Sequence, residues 1–142
     1  MERKTNWAAI AVSVVATFLL GMLWYAFLFN EQYMTGNGFS MEGEKMLKNG
    51  VEVPMNMTPM IVNVIVLVVN ALIMNWLLGL AKAQNLMDGV KVGAGIGLLM
   101  LLGIITGNLF AMNPASLSMV DGSYSFLMFV VYGAILGGWQ KK

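Results

Sequence analysis

The chain has 142 residues, of which 58% are hydrophobic and only 11% charged, with a formal net charge of +1 and a mean hydropathy of +0.74. Soluble domains are about a quarter charged, so this composition excludes water as the main solvent, and its near-neutral balance excludes a nucleic-acid partner. With neither cysteine nor histidine present, disulfides, thiolate nucleophiles, zinc–thiolate sites and the commonest general base are excluded as well.

The length allows one domain, and four uncharged stretches divide it. A helix needs about 20 apolar residues to cross a hydrocarbon core. The spans are expected near Trp7–Phe29, Met60–Leu80, Val92–Met112 and Ser123–Trp139. None carries the polar stripe at 3.6-residue spacing that marks a soluble core helix. The fold class is therefore an all-α membrane protein, a four-helix transmembrane bundle whose spans are joined by one longer outer loop, residues 30–58.

The first span follows Arg3 and Lys4 and ends in the aromatic run Leu23-Trp24-Tyr25-Ala26-Phe27-Leu28-Phe29. Its apolar run is too long for a signal-peptide core and no A-x-A site follows it, so it reads as a retained anchor. In the loop beyond, Gly36-Asn37-Gly38 and Asn49-Gly50 read as turns. Ser40–Lys48 is expected to form a short helix with Ser40 as its N-cap and Met41, Met46 and Leu47 against the membrane surface. Pro54 and Pro59 bracket the entry to the second span.

The distribution of basic residues orients the bundle. With the N-terminus in the cytoplasm, that side carries Arg3, Lys4, Lys82, Lys91, Lys141 and Lys142, and the outer side only Lys45 and Lys48. The positive-inside rule then places both termini in the cytoplasm. Aromatic residues give an independent reading of the same threading. Trp7, Trp76 and Trp139 fall at cytoplasmic ends and Trp24 and Tyr25 at an outer end, the levels at which amphipathic rings anchor to headgroups.

No ionisable side chain falls inside the spans as drawn, which argues against proton-coupled transport. The polar residues that do enter are few. Asn63 and Asn70, seven apart, share a helix face that Asn56 continues outward, and Thr106 and Asn108 enter from the third span. A carboxamide facing lipid leaves polar atoms unsatisfied, so Asn63 and Asn70 are expected to point into the bundle. There they either line a polar intramembrane site or act as interhelical hydrogen-bond glue.

Small residues form packing stripes that let helix backbones approach. They are Ala9, Ser13, Thr17 and Gly21 in the first span, then Gly89, Gly93, Gly97, Gly103 and Gly107, then Gly133 and Gly137. Either packing within the bundle or an oligomer interface accounts for them. The fourteen methionines suit Cu(I) by softness, but no His or Cys accompanies them; neither metal nor cofactor is expected.

Two segments resemble a known family. Gly21-Met22-Leu23-Trp24-Tyr25-Ala26-Phe27-Leu28-Phe29-Asn30-Glu31-Gln32-Tyr33-Met34 is similar to the G-x-x-W-Y-x-P-L-F-G-K-x-W-M signature of the bacterial "domain of unknown function 1761" membrane family. Asp121-Gly122-Ser123-Tyr124, with Val131-Tyr132-Gly133-Ala134-Ile135-Leu136-Gly137-Gly138-Trp139, resembles its D-x-G-Y helix start and M-G-A-I-L-G-x-W ending. The chain departs from the signature at Phe27 and Asn30, where the family often has proline and glycine. The resemblance implies a four-helix protein of the bacterial inner membrane and carries no activity.

Three functional classes follow. The leading expectation is a non-enzymatic structural or accessory protein that forms a homo-oligomer or joins a membrane-protein partner through glycine-rich faces. The second is a small channel or transporter for a neutral or weakly polar solute, running past the asparagines. An enzyme ranks third, requiring Glu31 and Asp121 to converge on one outer pocket.

Overall fold

The computed structural model describes residues 3–140, so Lys141 and Lys142 lie outside the described residues. Four helices are long and apolar enough to cross a membrane, covering Trp7–Leu28, Thr58–Leu80, Leu86–Phe110 and Ala115–Gly138. We name them in chain order with the smaller elements: α1 (Trp7–Met22), α2 (Asn30–Gly36), β1 (Phe39–Glu42), β2 (Lys45–Lys48), β3 (Val51–Val53), α3 (Thr58–Leu80), α4 (Leu86–Phe110) and α5 (Ala115–Gly138).

Local chemistry sets the helix ends. Asn6 caps α1, its side chain accepting from the Ala9 N–H at 3.2 Å. Asn85 caps α4 by accepting from the Asp88 N–H at 2.9 Å, and the Asp88 carboxylate answers by accepting from the Asn85 amide at 3.1 Å, a reciprocal cap. Pro59 sits in the first turn of α3, where its missing N–H costs nothing. Beyond Met22, α1 continues into a π-helical turn, Leu23–Leu28, closed by the Phe29 N–H donating to the Trp24 carbonyl at 2.8 Å.

The residues expected to be a short helix form a sheet instead. β1, β2 and β3 make an antiparallel meander with Met41 opposite Met46 and Leu47 opposite Glu52. Ser40 is a strand residue and caps nothing. Gly43 at the first turn and Asn49-Gly50 at the second take positive φ values of 64°, 52° and 84°. An Asn-Gly pair with both φ positive matches the right-handed twist of the flanking strands and selects a hairpin.

α5 is the organising helix. α4 lies along it, and α1 and α3 pack on it and on each other, whereas α4 touches α3 only slightly. The buried core holds Ala9, Ile10, Leu67, Ala71, Met74, Leu78, Met128, Phe129, Tyr132 and Leu136. Tyr132 is fully buried and ties three helices together: its hydroxyl donates to the Leu67 carbonyl at 2.8 Å and lies 3.2 Å from Thr17 Oγ1.

This core fills only part of the bundle's height. From Thr58 through Val66 every side chain of α3 is exposed, and buried positions begin at Leu67. In α4 the buried positions are Gly89, Gly93 and Gly97, all in its first half. The outer half of α3 is therefore largely exposed, whereas the far half of α4 stays against α5, with Leu101 on Gly122 and Asn108 bonded to Ser118.

Two span boundaries move. α5 begins at Ala115 rather than near Ser123, and α4 at Leu86 rather than Val92. Asp88 and Lys91 thus lie in the first turns of α4, and Asp121 lies two turns into α5. Asp121 corrects the expectation that no ionisable side chain sits within a spanning helix.

Candidate functional site: two polar clusters and an open helix face

The π-helical turn faces α5. Winding fewer degrees per residue, it lets neighbouring Trp24 and Tyr25 both reach that helix. The Trp24 indole donates to the Val120 carbonyl at 3.1 Å with Ser123 Oγ at 3.2 Å, and the Tyr25 hydroxyl donates to Asp121 Oδ1 at 2.7 Å. Tyr25 stacks edge-on with Tyr33 and with Tyr124, at centroid separations of 5.0 and 5.2 Å. Asp121 thus bonds one phenol, Tyr25, whose ring packs on two others. Tyr33, outside the spanning helices, has its pKa raised by burial and then by the Asp121 charge. Glu31 is exposed and makes no hydrogen bond to this cluster among the described residues.

At the opposite end, Arg3 folds back under the bundle. Its Nε donates to Asn75 Oδ1 at 2.9 Å, Nη1 to the Ala83 carbonyl at 3.2 Å and Nη2 to the Leu136 carbonyl. Burial lowers its pKa from the ordinary value, and no described carboxylate pairs with it. A cavity of about 470 Å³ lies beside it, walled by Asn75, Thr5, Leu72, Trp76 and Leu80. A second cavity, of about 320 Å³, is apolar and lined by Val12, Leu86, Ile135 and Trp139 among others. Trp7, Trp76 and Trp139 are exposed at this end, whereas Trp24 and Tyr25 turn inward at the other.

The intramembrane polar residues named from sequence do not meet. Asn63 is exposed, which corrects the expectation that it points into the bundle, and Asn70 is half-buried; neither forms a hydrogen bond among the described residues. Thr106 is exposed and spends its hydroxyl on the Leu102 carbonyl of its own helix, at 2.9 Å. The Asn108 amide donates to Ser118 Oγ at 3.0 Å and accepts from Asn113 at 2.9 Å, bracing the α4–α5 turn. Asn56 lies before α3 rather than on its face, accepting from the Thr58 N–H at 2.9 Å. Neither cavity is lined by these residues. Sequence reading missed Asn75 and Arg3 as partners; the sole signal was that Asn75 falls on the buried face of α3.

The glycines divide into two sets. A Cβ on Gly89 would overlap the Gly133 carbonyl, one on Gly93 the Phe129 carbonyl, one on Gly97 would sit 2.8 Å from the Phe126 carbonyl, and one on Gly137 would lie 2.8 Å from the Gly89 Cα. These four, with Gly133, are spent on the α4–α5 contact. Gly21 packs on the Tyr124 ring. Gly95, Gly103 and Gly107 face open space, with nothing within 4 Å of a Cβ built on them. They share one face of α4 with exposed Leu99.

Residues 8–137 match the family described as "Protein of unknown function (DUF1761)". No curated protein and no solved structure matches the chain.

Proposed function

The chain belongs to the DUF1761 family, whose function is unknown, and on that premise we propose that it is a non-enzymatic, multi-pass structural or accessory protein of the bacterial inner membrane. It threads with both termini in the cytoplasm and assembles, as a homo-oligomer or as a subunit of a larger complex, through helix faces that its own bundle leaves open. The observation that carries this reading is the open glycine face of α4, Gly95, Gly103 and Gly107. Between helices in lipid there is little hydrophobic force, and association depends on close backbone approach. Glycine is also a poor helix former, so three glycines that meet nothing in the chain are best accounted for by a neighbour outside it.

The threading draws support from the grouping of Arg3, Lys4, Lys82 and Lys91 at the end bearing Trp7, Trp76 and Trp139, with Lys45 and Lys48 in the sheet at the other. A solute pathway past Asn63, Asn70, Thr106 and Asn108 has no such support, because none of them lines either cavity described above. Single-molecule photobleaching in vesicles, with native mass measurement in mild detergent, tests assembly. Oligomers are expected, and Gly103→Leu with Gly107→Leu should reduce them without unfolding the monomer, since both positions face open space. Monomers alone in both settings overturn the reading.

A further inference from the structure

We propose that the exposed face of α3 carrying Asn63 and Asn70 is a self-contact, closed by the same face of a second copy lying parallel to it across a two-fold axis. This rests on the reading that the chain assembles in the bilayer, and it specifies one surface and its occupant. Four observations lead to it. Both carboxamides lack a hydrogen bond among the described residues, Asn63 on the exposed outer stretch of the helix and Asn70 half-buried just beyond it. That helix is apolar enough to span a membrane, and in hydrocarbon an unpaired amide costs several kcal/mol. The amides therefore need a partner that the fold does not provide.

The spacing identifies the kind of partner. Pro59, Asn63, Val66, Asn70, Ile73 and Leu77 recur at alternating intervals of four and three residues, the repeat of a helix-to-helix seam. Pro59, Asn63, Val66 and Ile73 are exposed, and Asn70 and Leu77 are half-buried. The seam lies beside, and not within, the face that Leu67, Ala71, Met74 and Leu78 bury against the bundle.

The chemistry identifies the occupant. Two copies threaded the same way hold their α3 helices parallel, with residues of the same number at the same depth. Asn63 then meets Asn63 and Asn70 meets Asn70. A carboxamide both donates and accepts, so each pair is self-complementary, and asparagine at such a position fixes a two-stranded, in-register pairing. A lipid acyl chain offers neither donor nor acceptor. An unrelated helix would need asparagine-like groups at the same two depths.

The chain contains no cysteine, so single cysteines report the contact directly. Val66→Cys and Ile73→Cys leave both asparagines in place. In purified protein reconstituted at low density in phosphatidylcholine vesicles, both should form disulfide dimers on mild oxidation. Ile61→Cys, exposed on the opposite side of α3, should not. Adding Asn63→Leu and Asn70→Leu to Val66→Cys should weaken dimerisation about tenfold, the loss expected for two interhelical amide pairs in lipid. Equal cross-linking at positions 61, 66 and 73, or no effect of the leucine pair, overturns the proposal. If photobleaching shows oligomers while positions 66 and 73 stay uncross-linked, this surface is wrong and assembly stands. If the vesicles hold only monomers, both fall.

Discussion

The Tyr25 hydroxyl donates to Asp121 Oδ1 at 2.7 Å, joining the π-helical turn that ends the first span to the second turn of α5. It is the one side-chain hydrogen bond to this carboxyl among the described residues, and the ring that makes it also packs on Tyr33 and Tyr124. Tyr25→Phe keeps the ring packing but strips the carboxyl of its donor, and should cost about 1–3 kcal/mol. Asp121→Asn retains an acceptor and should cost less than half as much. A double-mutant cycle read from unfolding midpoints in mixed micelles measures the coupling; additive effects would show that the two groups do not interact.

The α4–α5 contact yields a prediction of opposite sign at chemically identical positions. Gly93→Ala would drive a methyl group into the Phe129 carbonyl, and Gly133→Ala into that of Gly89. Backbone cannot step aside as a flexible side chain does, so the helices must separate, losing contacts along their length. Each should destabilise the fold by about 2–3 kcal/mol, at the upper end of overpacking costs. Gly95→Ala meets nothing and should be neutral or stabilising by up to about 1 kcal/mol through helix propensity. Thermal unfolding of the three variants separates these outcomes.

Why some of this was legible in the sequence and some was not follows from the solvent. Lipid demands long apolar runs, so all four spans can be read from sequence, and their ends lie within a few residues except where α4 and α5 begin. At the start of α5, Ser116, Ser118, Asp121 and Gly122 look like loop, and the tertiary hydrogen bond from Tyr25 is what satisfies a carboxyl within the helix. The hairpin was misread because Ser40–Lys48 carries a plausible cap and scattered apolar residues. The Asn49-Gly50 pair was the stronger signal, since its positive φ values force the chain back on itself. That amides avoid lipid is a sound rule, and it favours an inward position for the asparagines of α3. The rule does not say whether the shelter comes from the same chain.

Tyr33 supplies a pH test outside the spanning helices. Its folded-state pKa lies above the ordinary value of 10.0, first by burial and then through the Asp121 charge. The folded protein holds the phenolic proton more tightly than the unfolded chain does. This contribution to stability is fully present below about pH 10 and is lost as pH rises through the raised folded value. Ultraviolet titration of phenolate absorbance should show Tyr33→Phe removing a transition above that of free tyrosine. Asp121→Asn should move the same transition down; an unmoved transition would mean that the charge at position 121 is not felt at Tyr33.

Arg3 bonds to three neutral acceptors, the side chain of Asn75 on α3, the Ala83 carbonyl in the α3–α4 turn and the Leu136 carbonyl near the end of α5. Helix C-termini carry partial negative charge, and a guanidinium spreads five donors in a rigid fork, so one side chain braces three elements. Arg3→Gln should cost about 2 kcal/mol, on the scale of hydrogen bonds from a charged donor discounted for partial exposure. Arg3→Lys keeps the charge but presents a single compact ammonium, so it should recover less than half of that loss. If charge alone mattered, lysine would restore stability fully. Hydrogen exchange locates the effect: amides near Ala83 and the last turn of α5 should exchange faster in both variants, while those around Asp121 keep their protection. A uniform loss of protection would instead make Arg3 a contributor to global stability rather than a clamp on one end.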